Sequence, residues 1–164
     1  MATDDLHEDE RHRRFLDEAV RLATESVAAG GGPFGAVVVR DGEIIARGMN
    51  RVTPDSDPTA HAEIVAVRAA CRAVGSFQLE GCDIYASTEP CPMCMGALYW
   101  ARPRRVFYAS GREDAAAAGF DDQFIYDELD RPVEARDLAT RRVAVEAAGE
   151  EFDAWAALAD RREY

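Results

Sequence analysis

Two short motifs place the strongest constraint on how this 164-residue chain can fold. The first reads His61-Ala62-Glu63, and the second reads Pro90-Cys91-Pro92-Met93-Cys94. Together they supply one imidazole and two thiols, which are three zinc ligands, whereas a structural zinc site is closed by four. The chain must therefore fold so that the two motifs meet around one metal ion. A three-ligand site leaves the fourth position to water, which is typical of hydrolytic catalysis.

A closed structural zinc site is the alternative interpretation of the Cys-x-x-Cys pair. Its fourth ligand would come from Cys71, Cys82, His7 or His12. Cys71 lies ten residues beyond His61 on the same predicted helix, about 15 Å along its axis. Cys82 lies at the far end of the strand that leads to Cys91, and both remaining histidines belong to a polar N-terminal segment. We therefore favour the three-ligand site, with Glu63 as a proton carrier and not a ligand.

The charge composition argues against a nucleic-acid-binding protein. The chain has 31 acidic and 19 basic residues, a formal net charge of −12, and no Lys at all. Nucleic-acid binders collect basic charge on one face to neutralise phosphates. The lack of Lys also excludes Schiff-base chemistry and a lysine nucleophile. No segment approaches the roughly 20 apolar residues of a membrane helix, and we expect four reduced cysteines in a cytoplasmic protein.

Hydrophobic periodicity and turn residues predict an α/β domain over residues 11–164, after an acidic, partly disordered lead-in at 1–10. Helices are predicted at 8–29, 60–73, 91–101 and 151–159. Strands are predicted at 36–39, 43–46, 83–87, 105–109 and, more weakly, 142–146, with Asp41-Gly42 as a hairpin turn. Five strands interleaved with helices predict a mixed sheet covered on both faces.

Both metal motifs fall at predicted helix N-termini, whose positive dipole ends favour thiolate and carboxylate groups. Zinc bound by two thiolates and one neutral imidazole has no net charge left. Such an ion acidifies its water less strongly than a three-histidine site would. Glu63 is then needed as the base.

Residues 57–63 and 88–97 resemble the cytidine deaminase superfamily, in its branch of purine and tRNA adenosine deaminases. The pattern H-x-E followed by P-C-x-x-C is the signature of zinc-dependent nucleobase deaminases. Further stretches are similar to the bacterial guanine-deaminating members of that branch; they lie at 32–36, 99–103, 114–116, 118–122 and 162–164. The zinc motif is common to the superfamily, so only residues 120–122 and the terminal Tyr164 point to the guanine branch.

The resemblance implies a three-layer α/β/α cytidine deaminase-like fold around the mixed five-stranded sheet. It also implies a homodimer in which residues 159–164 form a C-terminal lid over the partner's active site. One Zn²⁺ per chain would be held by His61, Cys91 and Cys94. Glu63 and Asp114 would be catalytic, and the implied substrate-binding residues are Phe34, Asn50, Ala62, Trp100 and Tyr164.

Several of these assignments have a purely structural alternative. Asn50 could form a turn, and Asp114 could cap a helix. Phe34 and Trp100 could belong to the core, since aromatic side chains dominate cores. Tyr164 could be an ordinary frayed chain end.

The implied reaction is the zinc-dependent hydrolytic deamination of guanine to xanthine and ammonia, in purine catabolism or salvage. Deamination of guanosine, or of another amino-substituted ring such as cytosine or a triazine, remains an alternative. A tRNA adenosine deaminase would need phosphate contacts, which the acidic run Glu150-Glu151-Phe152-Asp153 disfavours. A zinc-stabilised interaction module would leave Glu63 without a purpose.

Overall fold

The structure, a computed structural model, describes residues 2–163, with side chains from residue 8 onward. It divides into two compact units, Met1–Asp122 and Gln123–Tyr164. The predicted domain over 11–164 therefore comprises most of the first unit and all of the second. None of the described helices is long and apolar enough to span a membrane.

Helices and strands alternate through the first unit much as the sequence predicts. The helices are α1 (Ala2–Ala28), α2 (Val52–Asp55), α3 (Ala62–Val74), α4 (Pro92–Ala101) and α5 (Arg112–Ala117), and the strands are β1 (Gly35–Arg40), β2 (Glu43–Met49), β3 (Cys82–Thr88) and β4 (Arg105–Ser110). Helix α1 begins at Ala2, whereas its start was predicted near residue 8. The short helices α2 and α5 were not predicted.

The four strands form one mixed sheet in the order β2-β1-β3-β4. Strand β1 is antiparallel to β2 and to β3, whereas β3 and β4 are parallel and are joined through α4. Asp41 and Gly42 both have positive φ, 52° and 82°, as the tight turn between β1 and β2 requires. The predicted five-stranded sheet is wrong, because residues 142–146 form no strand in the part of the chain that the structure describes.

Alternate side chains of β1 belong to two different core clusters, as the period of two in a strand requires. Val38 packs in a cluster with Ala66 of α3 and Leu98 of α4. Val37 packs in the other cluster, with Phe15 of α1. All of β1 except its last residue is buried, so this strand is the centre of the first unit.

A close contact at Gly48 sets the position of α3. A Cβ atom at residue 48 would lie 2.1 Å from the carbonyl oxygen of Ala62 and 2.6 Å from the nitrogen of Ala66. Only glycine permits this approach, so the first turn of α3 lies directly against the backbone of β2. That turn carries Glu63 and follows His61.

The second unit contains the helices α6 (Gln123–Asp130) and α7 (Glu150–Ala157), with a 3₁₀ turn at Val133–Ala135 between them. The predicted C-terminal helix is thus confirmed as α7. None of the described residues of this unit is buried. Several large apolar side chains are more than half exposed, namely Phe124, Leu129, Leu138, Val143, Val145 and Phe152.

Candidate metal centre and active site

Three potential zinc ligands meet where two helices begin. His61 is the residue before α3, Cys91 is the residue before α4, and Cys94 lies in the first turn of α4. Nδ1 of His61 is 3.5 Å from Sγ of Cys91 and 3.6 Å from Sγ of Cys94. The predicted ligands therefore come together although they are distant in sequence.

These distances fit one tetrahedral zinc ion. Zn–N bonds of about 2.0 Å and Zn–S bonds of about 2.3 Å place ligand nitrogen and sulfur atoms about 3.5 Å apart at a tetrahedral angle. The three ligand atoms all lie within 4.8 Å of one another, and no larger group of potential ligands occurs around them among the described residues. The donor set and its spacing therefore fit zinc with one coordination position left over.

The two sulfur ligands lie close together, so the charge on one disfavours the charge on the other. The hydrogen bond from Cys94 and that from His61 lower the pKa of Cys91 to about 4, although burial opposes this shift. The neighbouring Cys91 sulfur and burial raise the pKa of Cys94. The hydrogen bond to Cys91 also raises the pKa of His61. A divalent cation relieves this competition, because it stabilises both thiolates.

Glu63 lies beside the cluster but outside the ligand set. Its side chain is 7% exposed, and its carboxylate interacts with the Cys94 thiol. Burial raises the pKa of Glu63, with a further contribution from the charge of Cys91. A carboxyl group with a raised pKa next to a metal is suited to take up and release protons near neutral pH.

The candidates for a fourth protein ligand lie elsewhere. Cys82 is buried in the core cluster beneath α3, and Cys71 packs against the same cluster. Nδ1 of His12 is 2.7 Å from the hydroxyl group of Tyr85, and the His12 ring stacks on Phe107. The side chain of His7 lies outside the described residues. A closed four-ligand site is therefore not found in the part of the structure that is described.

Asn50 and Phe34 are hydrogen-bonded to each other, and the residue after Asn50 is hydrogen-bonded to the segment that leads into His61. Asn50, which follows β2, is 7% exposed, and its main-chain N–H donates a hydrogen bond to the carbonyl of Phe34 at 3.0 Å. The next residue, Arg51, donates its main-chain N–H to the carbonyl of Ala60, directly before His61. The Phe34 ring contacts Phe120 edge to face at 5.0 Å.

The remaining predicted site residues have varied surroundings. Asp114 is exposed, and its carboxylate accepts a hydrogen bond from the main-chain N–H of Gly111 at 2.9 Å, so it caps α5. Ala62 is fully buried in the first turn of α3, and Trp100 on α4 is 61% exposed. Tyr164 lies outside the described residues.

Two residues of this region were not predicted to be site residues. Ser26 is almost fully buried and donates its hydroxyl to the carbonyl of Asn50 at 2.9 Å. Asp122 has a pKa raised first by burial and then by the charge of Cys91. The resemblance had already singled out residues 120–122, whereas no local pattern marks Ser26.

Residues 9–110 match the family described as the cytidine and deoxycytidylate deaminase zinc-binding region. The guanine deaminase of Bacillus subtilis strain 168 is 55% identical over 154 residues, which cover 93% of this chain and 99% of that protein. An X-ray structure of guanine deaminase from B. subtilis has a TM-score of 0.91 and covers 93% of this chain and 98% of that one.

A tRNA-specific adenosine deaminase of Aquifex aeolicus is also similar, but over a shorter region. It is 43% identical over 96 residues, which cover 58% of this chain and 64% of that protein. The match to the B. subtilis protein covers far more of the chain, so it must extend well beyond the zinc-binding region that ends at residue 110.

Proposed function

Because this chain belongs to the cytidine and deoxycytidylate deaminase family, we propose that it catalyses the zinc-dependent hydrolysis of guanine to xanthine and ammonia. The observation that carries the choice of guanine is the extent of the match to the B. subtilis guanine deaminase, which covers 93% of this chain at 55% identity. The zinc motif alone could not make this choice, because tRNA-specific adenosine deaminases share the same region.

His61, Cys91 and Cys94 would hold the zinc ion. When bound, it would supply Lewis acidity that makes a water molecule a better nucleophile near neutral pH. Two thiolates cancel the charge of the ion, so much of the work of deprotonation falls to a base. Glu63 is that base, since it is buried beside Cys94 and is not needed as a ligand.

Glu63 moves the protons of the reaction. It accepts a proton from the attacking water as the oxygen adds to C2 of guanine, and it delivers that proton to the ring nitrogen beside C2. It then passes the second proton of the water to the amino group, which leaves as ammonia. Guanine and water are thus converted to xanthine and ammonia, and Glu63 returns to its starting state.

Asn50 and Phe34 orient the purine. The Asn50 side chain hydrogen-bonds the ring, and the Phe34 ring stacks on it; Ala62, Trp100 and Tyr164 complete the substrate contacts. Asp114 is the second proton carrier or the partner of the exocyclic amine. Its carboxylate caps α5 through Gly111, so it would exchange this hydrogen bond for one to the substrate.

We further propose a three-layer fold and a homodimer whose C-terminal segments, residues 159–164, exchange between protomers and cover the partner's site. The composition of the second unit supports the exchange. Phe124, Leu138 and Phe152 are 64%, 80% and 71% exposed, and none of the described residues from 123 onward is buried. A 42-residue unit with so much exposed apolar surface is expected to be covered by another protein surface. The four free cysteines accord with a reducing, cytoplasmic location.

An ammonia-release assay with the purified protein tests the proposal. Guanine, guanosine, adenine, cytosine and a tRNA would be compared as substrates, with xanthine formation followed by absorbance. We expect guanine to have the highest kcat/KM. A higher kcat/KM for guanosine or cytosine would show that guanine is not the preferred substrate. Inosine formation in the tRNA would show that the protein is a tRNA adenosine deaminase.

A further inference from the structure

The Asn50 side chain is fixed by a junction of three chain segments. These are the end of α1 with Ser26, the Gly31-Gly32 turn, and the residues that follow β2. The Ser26 hydroxyl, which is 1% exposed, donates to the main-chain carbonyl of Asn50 at 2.9 Å. The main-chain N–H of Gly31 donates to the carbonyl of Ser26 at 2.8 Å, which ties the turn to the helix.

The hydrogen bonds of the Asn50 amide determine which way it faces. Its Oδ1 accepts from the main-chain N–H of Gly32 at 3.1 Å and from that of Val52 at 3.2 Å. Because both partners are N–H donors, the atom that faces them must be the oxygen. Within the part of the chain that is described, the side-chain NH₂ is the group of Asn50 left to bind a substrate.

The three segments of the junction pack closely, with no space for a side chain at Gly31 and little at Gly32. A Cβ atom at Gly31 would lie 2.2 Å from the carbonyl oxygen of Asn50 and 2.6 Å from Oγ of Ser26. At Gly32 a Cβ atom would lie 3.3 Å from the Asn50 amide. The backbone and side chain of Asn50 are therefore held from two sides, and turning its amide over would place the NH₂ group against the two N–H donors of Gly32 and Val52.

We infer that Ser26 is a positioning residue that, with Gly31 and Gly32, holds Asn50 as a hydrogen-bond donor only, so that the site selects rings presenting an acceptor to it. This inference rests on the proposed function. Guanine presents O6 and N7 as two adjacent acceptors on one edge. In 2,6-diamino-7-deazapurine the 2-amino leaving group is kept, but an amino group replaces O6 and a C–H group replaces N7, so this edge presents a donor and no acceptor. The fixed NH₂ group of Asn50 can hydrogen-bond the acceptor edge of guanine. Against the donor edge of the diamino compound it would have no hydrogen-bond partner, so binding of that compound should be weaker.

The test compares Ser26→Ala with Thr24→Ala, which removes a hydroxyl from the same helix. The Thr24 hydroxyl donates to the carbonyl of Val20 on its own helix and is remote from Asn50 in the hydrogen-bond network. We expect Ser26→Ala to lower kcat/KM for guanine about tenfold, the value of one hydrogen bond. The change should fall mainly on KM. The preference for guanine over 2,6-diamino-7-deazapurine should fall as well, and zinc content should stay unchanged.

Two further variants separate positioning from packing. Ser26→Cys fills the same space with only a weak donor, and we expect it to lose discrimination as Ser26→Ala does. In an Asn50→Ala background, Ser26→Ala should have no further effect on discrimination, because its action passes through Asn50. Additive effects in this double-mutant cycle would overturn the inference.

The outcomes distinguish this inference from the proposed function. A wild-type protein that does not convert guanine would refute the proposed function and the inference with it. A wild-type protein active on guanine, with a Ser26→Ala variant no different from Thr24→Ala, would refute the inference alone.

Discussion

Replacing Glu63 with Gln removes the proposed proton carrier but keeps the size of the side chain. The side chain is 7% exposed, so bulk water cannot readily take its place. General acid–base catalysis contributes about 10²–10⁴-fold per group, and one carboxyl group is proposed to carry both proton transfers. We therefore expect kcat to fall by about 10³-fold or more, which corresponds to about 4 kcal/mol in the activation barrier.

Zinc content and stability should behave differently from kcat. Because Glu63 is not a ligand, the Gln variant should bind one zinc per chain. Gln has the same size as Glu and keeps this buried position filled, so Tm should stay close to that of the wild type.

The assay combines kcat on guanine, zinc per chain by elemental analysis, and Tm. Cys91→Ala is the contrasting variant and should lose both zinc and activity. Glu43→Gln, at an exposed position in the β1–β2 hairpin, controls for the loss of one negative charge and should change neither. Loss of zinc from Glu63→Gln would mean that the carboxylate is a ligand, and retention of full turnover would mean that it is not the base.

Three further predictions concern stability, the chain end and nucleic acid. Hydrogen bonds from Arg21 and Arg47 lower the pKa of Glu18 to about 2; Glu18→Gln should therefore reduce the free energy of unfolding by about 1 kcal/mol above pH 5, and the difference should vanish as pH falls towards 2. A difference independent of pH in urea titrations would contradict this. Removing residues 161–164 should raise KM or lower kcat strongly without changing zinc content, whereas undiminished activity would make the terminus an ordinary frayed end. The formal charge of −12 predicts only weak, non-specific tRNA binding at physiological salt, which a filter-binding titration would measure; tight, salt-sensitive binding would contradict it.

Much of the sheet could be predicted because its signals are local. Alternating apolar residues and the Asp41-Gly42 turn determine the β1–β2 hairpin without help from distant parts of the chain. Residues 142–146 also alternate, as Arg-Val-Ala-Val-Glu, and were predicted to be a strand for that reason. A strand needs a neighbour to pair with, and alternation cannot supply one. The predicted fifth strand was wrong because residues 142–146 have no strand to pair with among the described residues.

The candidate site also has residues that could be predicted from local sequence signals and residues that could not. His61, Cys91 and Cys94 could be predicted because each motif carries its own spacing and lies at a helix start. Ser26 could not, because its hydroxyl meets Asn50 across 24 residues of sequence, and a serine near the end of an amphipathic helix is unremarkable by itself. Contacts of this kind depend on how α1 packs on the sheet, which no local pattern encodes.

The contact at Gly48 bears on how this enzyme could change during evolution or engineering. Side chains adapt to small substitutions through their rotamers, but the α3 backbone lies directly on the β2 backbone here and has no such freedom. A methyl group at this position would move His61 and Glu63 as one body, and would misplace the metal and the base together. New ring specificities are therefore expected to arise in the loops that touch the substrate, while residue 48 remains as intolerant of change as a zinc ligand.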